Sequence, residues 1–161
     1  MVQLDQASIV TFAVEDPTTT DARWCIEQYF TEINQRFEDG FDPALSTLPD
    51  ARELTPPVGL FLIARLHSRP IGCGALIFHG DGPADIKRMW IASSARGIGL
   101  GRRLLHELEE QAREHSVSVV RLETNRALSE AISLYRRAGY TEVEPFNDEL
   151  YAHHWFEKRV R

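Results

Sequence analysis

Arg96-Gly97-Ile98-Gly99-Leu100-Gly101 follows the apolar run Ile86–Ile91 and opens directly into Arg102–His115, whose apolar residues have helical spacing. Strand, glycine-rich turn and helix N-terminus, in that order, form a local architecture that grips phosphates. Glycines let the backbone approach an anion closely, and the first helical N–H groups point at it with the positive end of the helix dipole behind them. Arg96 and Arg102 flank the turn, as a doubly charged pyrophosphate requires. Two other phosphate loops fail on the residues. A Walker loop ends in Gly-Lys-Ser/Thr, whereas this one ends in Gly101-Arg102-Arg103. A dinucleotide fingerprint counted from Gly99 and Gly101 places its third glycine at Leu104. What stands is Arg-x-x-Gly-x-Gly behind a strand, against the plainer alternative of a tight turn carrying two solvated arginines.

Working outward, the segments on both sides read as alternating strands and helices. Ala7–Val14 is a first strand ending at Asp16-Pro17. Asp21–Phe37 is a helix with Trp24, Ile26, Tyr29, Phe30, Ile33 and Phe37 at helical spacing, capped by Thr20 or Asp21. Glu38–Pro57, rich in proline, is loop with a short helix. Val58–Leu66 and Pro70–His79 form an antiparallel hairpin around His67–Arg69, and Gly80-Asp81-Gly82-Pro83 turns into the strand Ala84–Ile91. Val117–Thr124 is a further strand, Ser129–Ala138 a helix stopped by Gly139, and Tyr140–Val143 and Tyr151–Lys158 two closing strands. The expected fold is a single α/β domain over residues 1–161. It is a central, mixed, mostly antiparallel sheet with helices on both faces, in which Ala84–Ile91 and Val117–Thr124 run parallel, joined by the Arg102–His115 crossover.

A second motif lies downstream. Leu122-Glu123-Thr124 precedes Ala131-Ile132-Ser133-Leu134-Tyr135-Arg136-Arg137-Ala138-Gly139-Tyr140. The two motifs together, in this order, resemble the GCN5-related N-acetyltransferase (GNAT) family, firmly over Ala84 to Tyr140. The resemblance implies the acyl-CoA N-acyltransferase fold, with a splayed parallel strand pair, and acetyl-CoA as cosubstrate. It implies that the backbone of Met89, Trp90 and Ile91 pairs with the pantetheine arm, and that the loop residues Arg96, Gly97, Ile98, Gly99, Leu100, Gly101 and Arg102 hold the pyrophosphate. Tyr135 falls where the family's general acid stands, near the leaving thiolate. Glu123 falls where the family's ribosomal-protein alanine acetyltransferases place their general base. One position departs: where many members carry Asn, three residues before Ala131, this chain has Leu128, with Asn125 nearby but shifted.

Acetyl transfer to an amine requires loss of the ammonium proton, a nucleophile beside the thioester, a donor for the oxyanion and a proton for the thiolate. Glu123 is the candidate for the first, set against an ion-paired Glu with Arg121 or Lys87 as partner, and Asp85 is the reserve. Main-chain N–H groups of Met89 to Ile91 are candidates for the oxyanion. Tyr135 serves the thiolate or is a core aromatic. Phe37 and Phe41, at the loop end of the first helix, and His154, beside His153, are expected to touch the acceptor. Adjacent strand residues point to opposite faces, so His153 and His154 cannot easily share a metal ion, and no ligand set accompanies them.

The remaining bounds come from composition. A chain of 161 residues, 43% hydrophobic, with a net charge of −6, is that of a soluble globular domain. The charge argues against a nucleic-acid-binding surface. Cys25 and Cys73, far apart, read as small core residues in a reducing compartment. Met1–Phe12 is too mixed for a signal peptide, and no apolar run reaches the length of a membrane span, so the cytoplasm is expected. Tyr151, Trp155 and Phe156 exceed what one sheet face needs, which suggests a homodimer covering an edge. The expected activity is acetyl transfer from acetyl-CoA to a primary amine, either a small molecule or a protein N-terminus, by direct attack in a ternary complex without metal. The alternatives are a catalytically silent acyl-CoA-binding module and an enzyme using another acyl group.

Overall fold

The computed structural model describes residues 9–46 and 49–161. The start of the expected first strand, most of Met1–Phe12 and the pair Thr47-Leu48 of the long loop lie outside the described residues. Seven strands form one sheet: β1 (Thr11–Val14), β2 (Gly59–Leu66), β3 (Arg69–Ile77), β4 (Ala84–Ile91), β5 (Val119–Thr124), β6 (Thr141–Val143) and β7 (His154–Arg159). Their order is β1-β2-β3-β4-β5-β7-β6, antiparallel throughout except for the parallel pair β4–β5. The helices are α1 (Thr20–Arg36), α2 (Leu100–Glu114) and α3 (Ser129–Arg137). This is the mixed α/β sheet that the sequence predicts.

Strand alternation sorts the core onto two faces. Leu60, Leu62, Leu76 and Ile86 join Leu104, Leu105 and Leu108 of α2, together with Tyr135 of α3. Phe61, Ile63, Cys73, Ala75 and Ile77 pack instead against Ala22 and Cys25 of α1, so the helices cover opposite faces. Both cysteines are buried core residues. The apolar stripe of α2 lies close on β3 because Gly74 has no side chain. A Cβ there would come within 2.8 Å of Leu108 Cδ1.

The helix boundaries shift by a residue or two, for identifiable reasons. α1 is capped by Thr19, one residue earlier than expected, whose hydroxyl accepts from the Ala22 N–H at 3.2 Å. α2 begins at Leu100 rather than Arg102, because Gly99 takes the left-handed conformation (φ +76°) and Leu100 buries its side chain beside Val10, Ala64 and Ile71. α3 ends at Gly139 (φ +95°), and the Tyr140 N–H folds back onto the Tyr135 carbonyl at 3.0 Å, which delays β6 to Thr141.

The aromatics that suggest a second copy are used within the chain. Phe156 is fully buried, and the Trp155 indole donates to Asn147 Oδ1 at 2.9 Å. Tyr151 stays outside β7, its ring 4.8 Å from that of Phe41 and its hydroxyl accepting from the Asp42 N–H at 2.9 Å. Strand β6 occupies the edge beyond β7. Each of these three aromatics thus has partners within the chain. Among the described residues no helix is long and apolar enough to cross a membrane.

Candidate active site

The site arises where β4 leaves β5. Only Ala84–Val120 and Asp85–Arg121 are paired between them. Farther along, Arg88 and Met89 together stand against the single residue Gly74 of β3, a β-bulge. Bulges bend the strand that carries them and re-aim its side chains. Arg88 sits at φ +52°, a conformation that costs a non-glycine residue energy and that clusters at functional sites. The bulge reverses the alternation of β4: Ala84 and Ile86 face the α2 side, whereas Trp90 packs with the α1 side, edge-on to Trp24 at 5.6 Å.

The splay holds two clefts. The larger, about 490 Å³, runs from Met89–Ile91 along the glycine loop to the N-terminus of α2, with α3 opposite. The smaller, about 110 Å³, lies under Phe37, Phe41 and Tyr151 and is floored by β4 and β5. They share Met89, Leu128, Ala131 and Tyr135.

The structure places the sequence-predicted residues as follows. Met89, Trp90, Ile91, Arg96, Gly97, Gly99, Leu100, Gly101 and Arg102 all line the larger cleft. Ile98 does not; its side chain turns onto the cluster of Val10, Ile71 and Leu100. Gly97 and Gly99 both have positive φ, and a Cβ on either would meet nothing within 4 Å. These glycines are thus required for backbone conformation rather than for lack of room. Arg96 is paired with Glu32 of α1 and donates to the Ile91 carbonyl at 3.1 Å.

Tyr135 is buried where the clefts meet. Among the described residues its hydroxyl has one hydrogen-bond partner, Met89 Sδ at 4.0 Å. Burial pushes its pKa upward, and the neighbouring Glu123 charge adds to the shift, so the phenol stays protonated. Glu123 lies in the smaller cleft alone. It is ion-paired with Lys87 through Oε1, one of the two partners anticipated, while Oε2 is buried with no partner among the described residues. Phe37 and Phe41 line the same chamber.

Two expectations, Asp85 and His154, fall outside it. Asp85 lies at the paired end of the strands, held by Arg121 at 2.5 Å and His79 at 3.0 Å, and lines neither cleft, which removes it as the reserve base. His154 is drawn to Glu142 at 2.7 Å and stacks near Phe156, away from both clefts, and His153 accepts from the Arg126 N–H. His154, the histidine expected to touch the acceptor, thus lines neither cleft. Asn125 is consumed locally, donating to the Tyr151 carbonyl at 2.7 Å and accepting from the Ala127 N–H.

Sequence reasoning also missed residues. Arg137 joins the larger cleft. The signal was present, since Ala131, Leu134 and Arg137 recur every three residues on one helical face. Arg88 and Tyr29 line the smaller cleft. Arg88 had no signal, because strand parity puts it with Ile86 and only the bulge turns it elsewhere. Among the described residues no group of three His, Cys, Asp or Glu side chains is placed to hold a metal ion.

The glycine loop lines one cleft, and that cleft joins a second chamber that holds the Glu123 carboxylate. The Acetyltransferase (GNAT) family model matches residues 23–140. The chain belongs to this family of acetyl-CoA-dependent acetyltransferases. It is 35% identical over 138 residues to an IAA acetyltransferase of Azospirillum brasilense, covering 85% of this chain and 88% of that one. Among solved structures, a GNAT-family acetyltransferase of Staphylococcus aureus superposes with a TM-score of 0.77 at 16% identity, over 94% of this chain and 99% of the other. A GNAT-family acetyltransferase of Elizabethkingia anophelis with acetyl-CoA bound gives a TM-score of 0.64 at 13% identity, over 94% and 98%.

Proposed function

We propose that this protein transfers the acetyl group of acetyl-CoA to a small primary amine by direct attack in a ternary complex. The observation that carries the reading is the meeting of the two clefts at Tyr135 and Met89. A donor laid along the glycine loop ends there, and an acceptor in the aromatic chamber begins there. Both reactants thus meet without a covalent enzyme intermediate.

The residues then divide the proton work. Gly97, Gly99 and the free N–H groups at the start of α2 take the pyrophosphate, aided by Arg102 and Arg137. Glu123, on the acceptor side only, takes the ammonium proton directly or through a water. The backbone N–H groups of the bulged strand, Met89 to Ile91, donate to the oxyanion. Tyr135, at the junction and held protonated by burial, returns a proton to the departing thiolate. The chain is read as one domain working in the cytoplasm.

The test is thiol release from acetyl-CoA over a panel of primary amines, with acetylated product identified by mass. Tight acetyl-CoA binding with no thiol release over the whole panel would establish the silent acyl-CoA-binding module instead.

A further inference from the structure

We infer that the acceptor is a small zwitterion, an amine that also carries a carboxylate, with the carboxylate held by Arg88. The inference rests on the reading of the smaller cleft as the acceptor chamber.

Among the described residues, two buried side-chain polar atoms have no hydrogen-bond partner: Arg88 Nε and Glu123 Oε2. Both residues line the smaller cleft. Buried polar groups in folded proteins are almost always satisfied, and an exception calls for an explanation such as an absent ligand. One orphan is a cationic donor and the other an anionic acceptor. They come from neighbouring strands, β4 and β5, and both residues belong to the floor of the same chamber.

Arg88 is the more informative. Its side chain lies in a residue that is only 9% exposed, yet among the described residues no carboxylate pairs with it. Nη2 donates to the Pro49 carbonyl at 2.6 Å, and the guanidinium lies 4.9 Å from the Phe30 ring centre. The groups that face its charge are the Tyr29 phenol and the Cys73 thiol, both uncharged near neutral pH because burial raises their pKa values. The other charges of the chamber are committed: Lys87 to Glu123, and Glu149 to the Ser46 hydroxyl and the Tyr151 N–H. A buried cation is normally paired, because its desolvation is otherwise uncompensated. Here the Pro49 carbonyl and the Phe30 ring hold the side chain, with no counter-ion among the described residues. A substrate carboxylate supplies the missing charge and matches the guanidinium donors. An ammonium on the same molecule supplies a donor to Glu123 Oε2.

The chamber of about 110 Å³ sets the scale at a free amino acid or a similar amino carboxylate. A protein N-terminus fits this pattern poorly, since its α-amine has an amide where the free amino acid has a carboxylate.

The experiment uses the full chain with acetyl-CoA and matched sets of acceptors: L-amino acids, their C-terminal amides and the corresponding decarboxylated amines. Thiol release gives kcat and KM, and calorimetry gives binding of the same compounds to the protein saturated with CoA. The amino acids should exceed their amides and amines in kcat/KM by about tenfold to a hundredfold, the range for a charge-assisted contact. Arg88→Gln should abolish that preference through KM, with kcat within a few fold, and Arg88→Lys should restore part of it. If amides and amines react as well as amino acids, the inference is overturned while acetyl transfer to amines stands. If nothing reacts but amino acids bind in a carboxylate-dependent way that Arg88→Gln removes, the acceptor class holds and acetyl transfer to it fails. Absence of both binding and turnover overturns the inference. Should Arg88→Gln fail to fold, the wild-type selectivity series and Arg88→Lys still decide it.

Discussion

Replacing Tyr135 by phenylalanine separates catalysis from packing at the centre of the site. The ring is buried against Tyr140 and Phe156, with centroids 5.9 and 6.1 Å away, and phenylalanine keeps all of that contact. The hydroxyl contributes little to the fold: among the described residues its one hydrogen-bond partner is Met89 Sδ at 4.0 Å, and a thioether is a weak acceptor. Stability should therefore change by less than about 0.5 kcal/mol, which for a domain of this size is roughly 2 °C in Tm. The rate is a different matter. A positioned acid contributes about a hundredfold to ten-thousandfold, and a thiolate leaves tolerably without help, so kcat should fall by about tenfold to a thousandfold. Because burial raises the Tyr135 pKa above the usual value near 10, the phenol stays protonated across the assay range, and wild-type kcat should show no alkaline fall from this group below about pH 10. Steady-state thiol release at saturating acetyl-CoA, calorimetric acetyl-CoA binding and thermal melting measure the three quantities. Full specific activity with a lowered Tm would refute the assignment and make Tyr135 a core residue with a structural hydroxyl.

Three further outcomes follow from the geometry. Glu123→Gln keeps the shape of the chamber and removes the charge paired with Lys87; kcat/KM should drop by about a hundredfold or more, and an unchanged value would hand the proton to a water. Gly99→Glu meets no steric obstacle beyond its positive φ, worth about 1–2 kcal/mol, but places a negative charge at the pyrophosphate position; wild-type acetyl-CoA affinity by calorimetry would show that the loop does not bind it. Arg121→Met leaves the buried Asp85 carboxylate with His79 alone and should cost about 3 kcal/mol, read as a Tm drop of roughly 6–12 °C, while kcat at a permissive temperature stays near wild type; a selective loss of kcat would return Asp85 to the reaction.

Much of the site was legible because its requirements are local. A loop that needs positive φ at two positions and an open helix N-terminus must write glycines at fixed offsets, and Gly97 and Gly99 are where the backbone demands them. The α3 segment likewise announces its own end at Gly139, and β4 announces itself between the Gly80–Pro83 turn and the glycine loop. What tertiary structure alone decided begins with the bulge at Arg88–Met89. No local pattern marks it, because it results from fitting β4 against Gly74 of β3 while α2 presses on the same spot through Leu108. That misfit reverses the parity of β4, parts β4 from β5 and turns Arg88 into the smaller cleft. The same non-local packing took His154 to Glu142, Asn125 to Tyr151 and Asp85 to Arg121, each a partner far along the chain. Residue type and spacing determine which chemistry a segment can offer, whereas which side chains are left without a partner depends on contacts the chain makes only when folded.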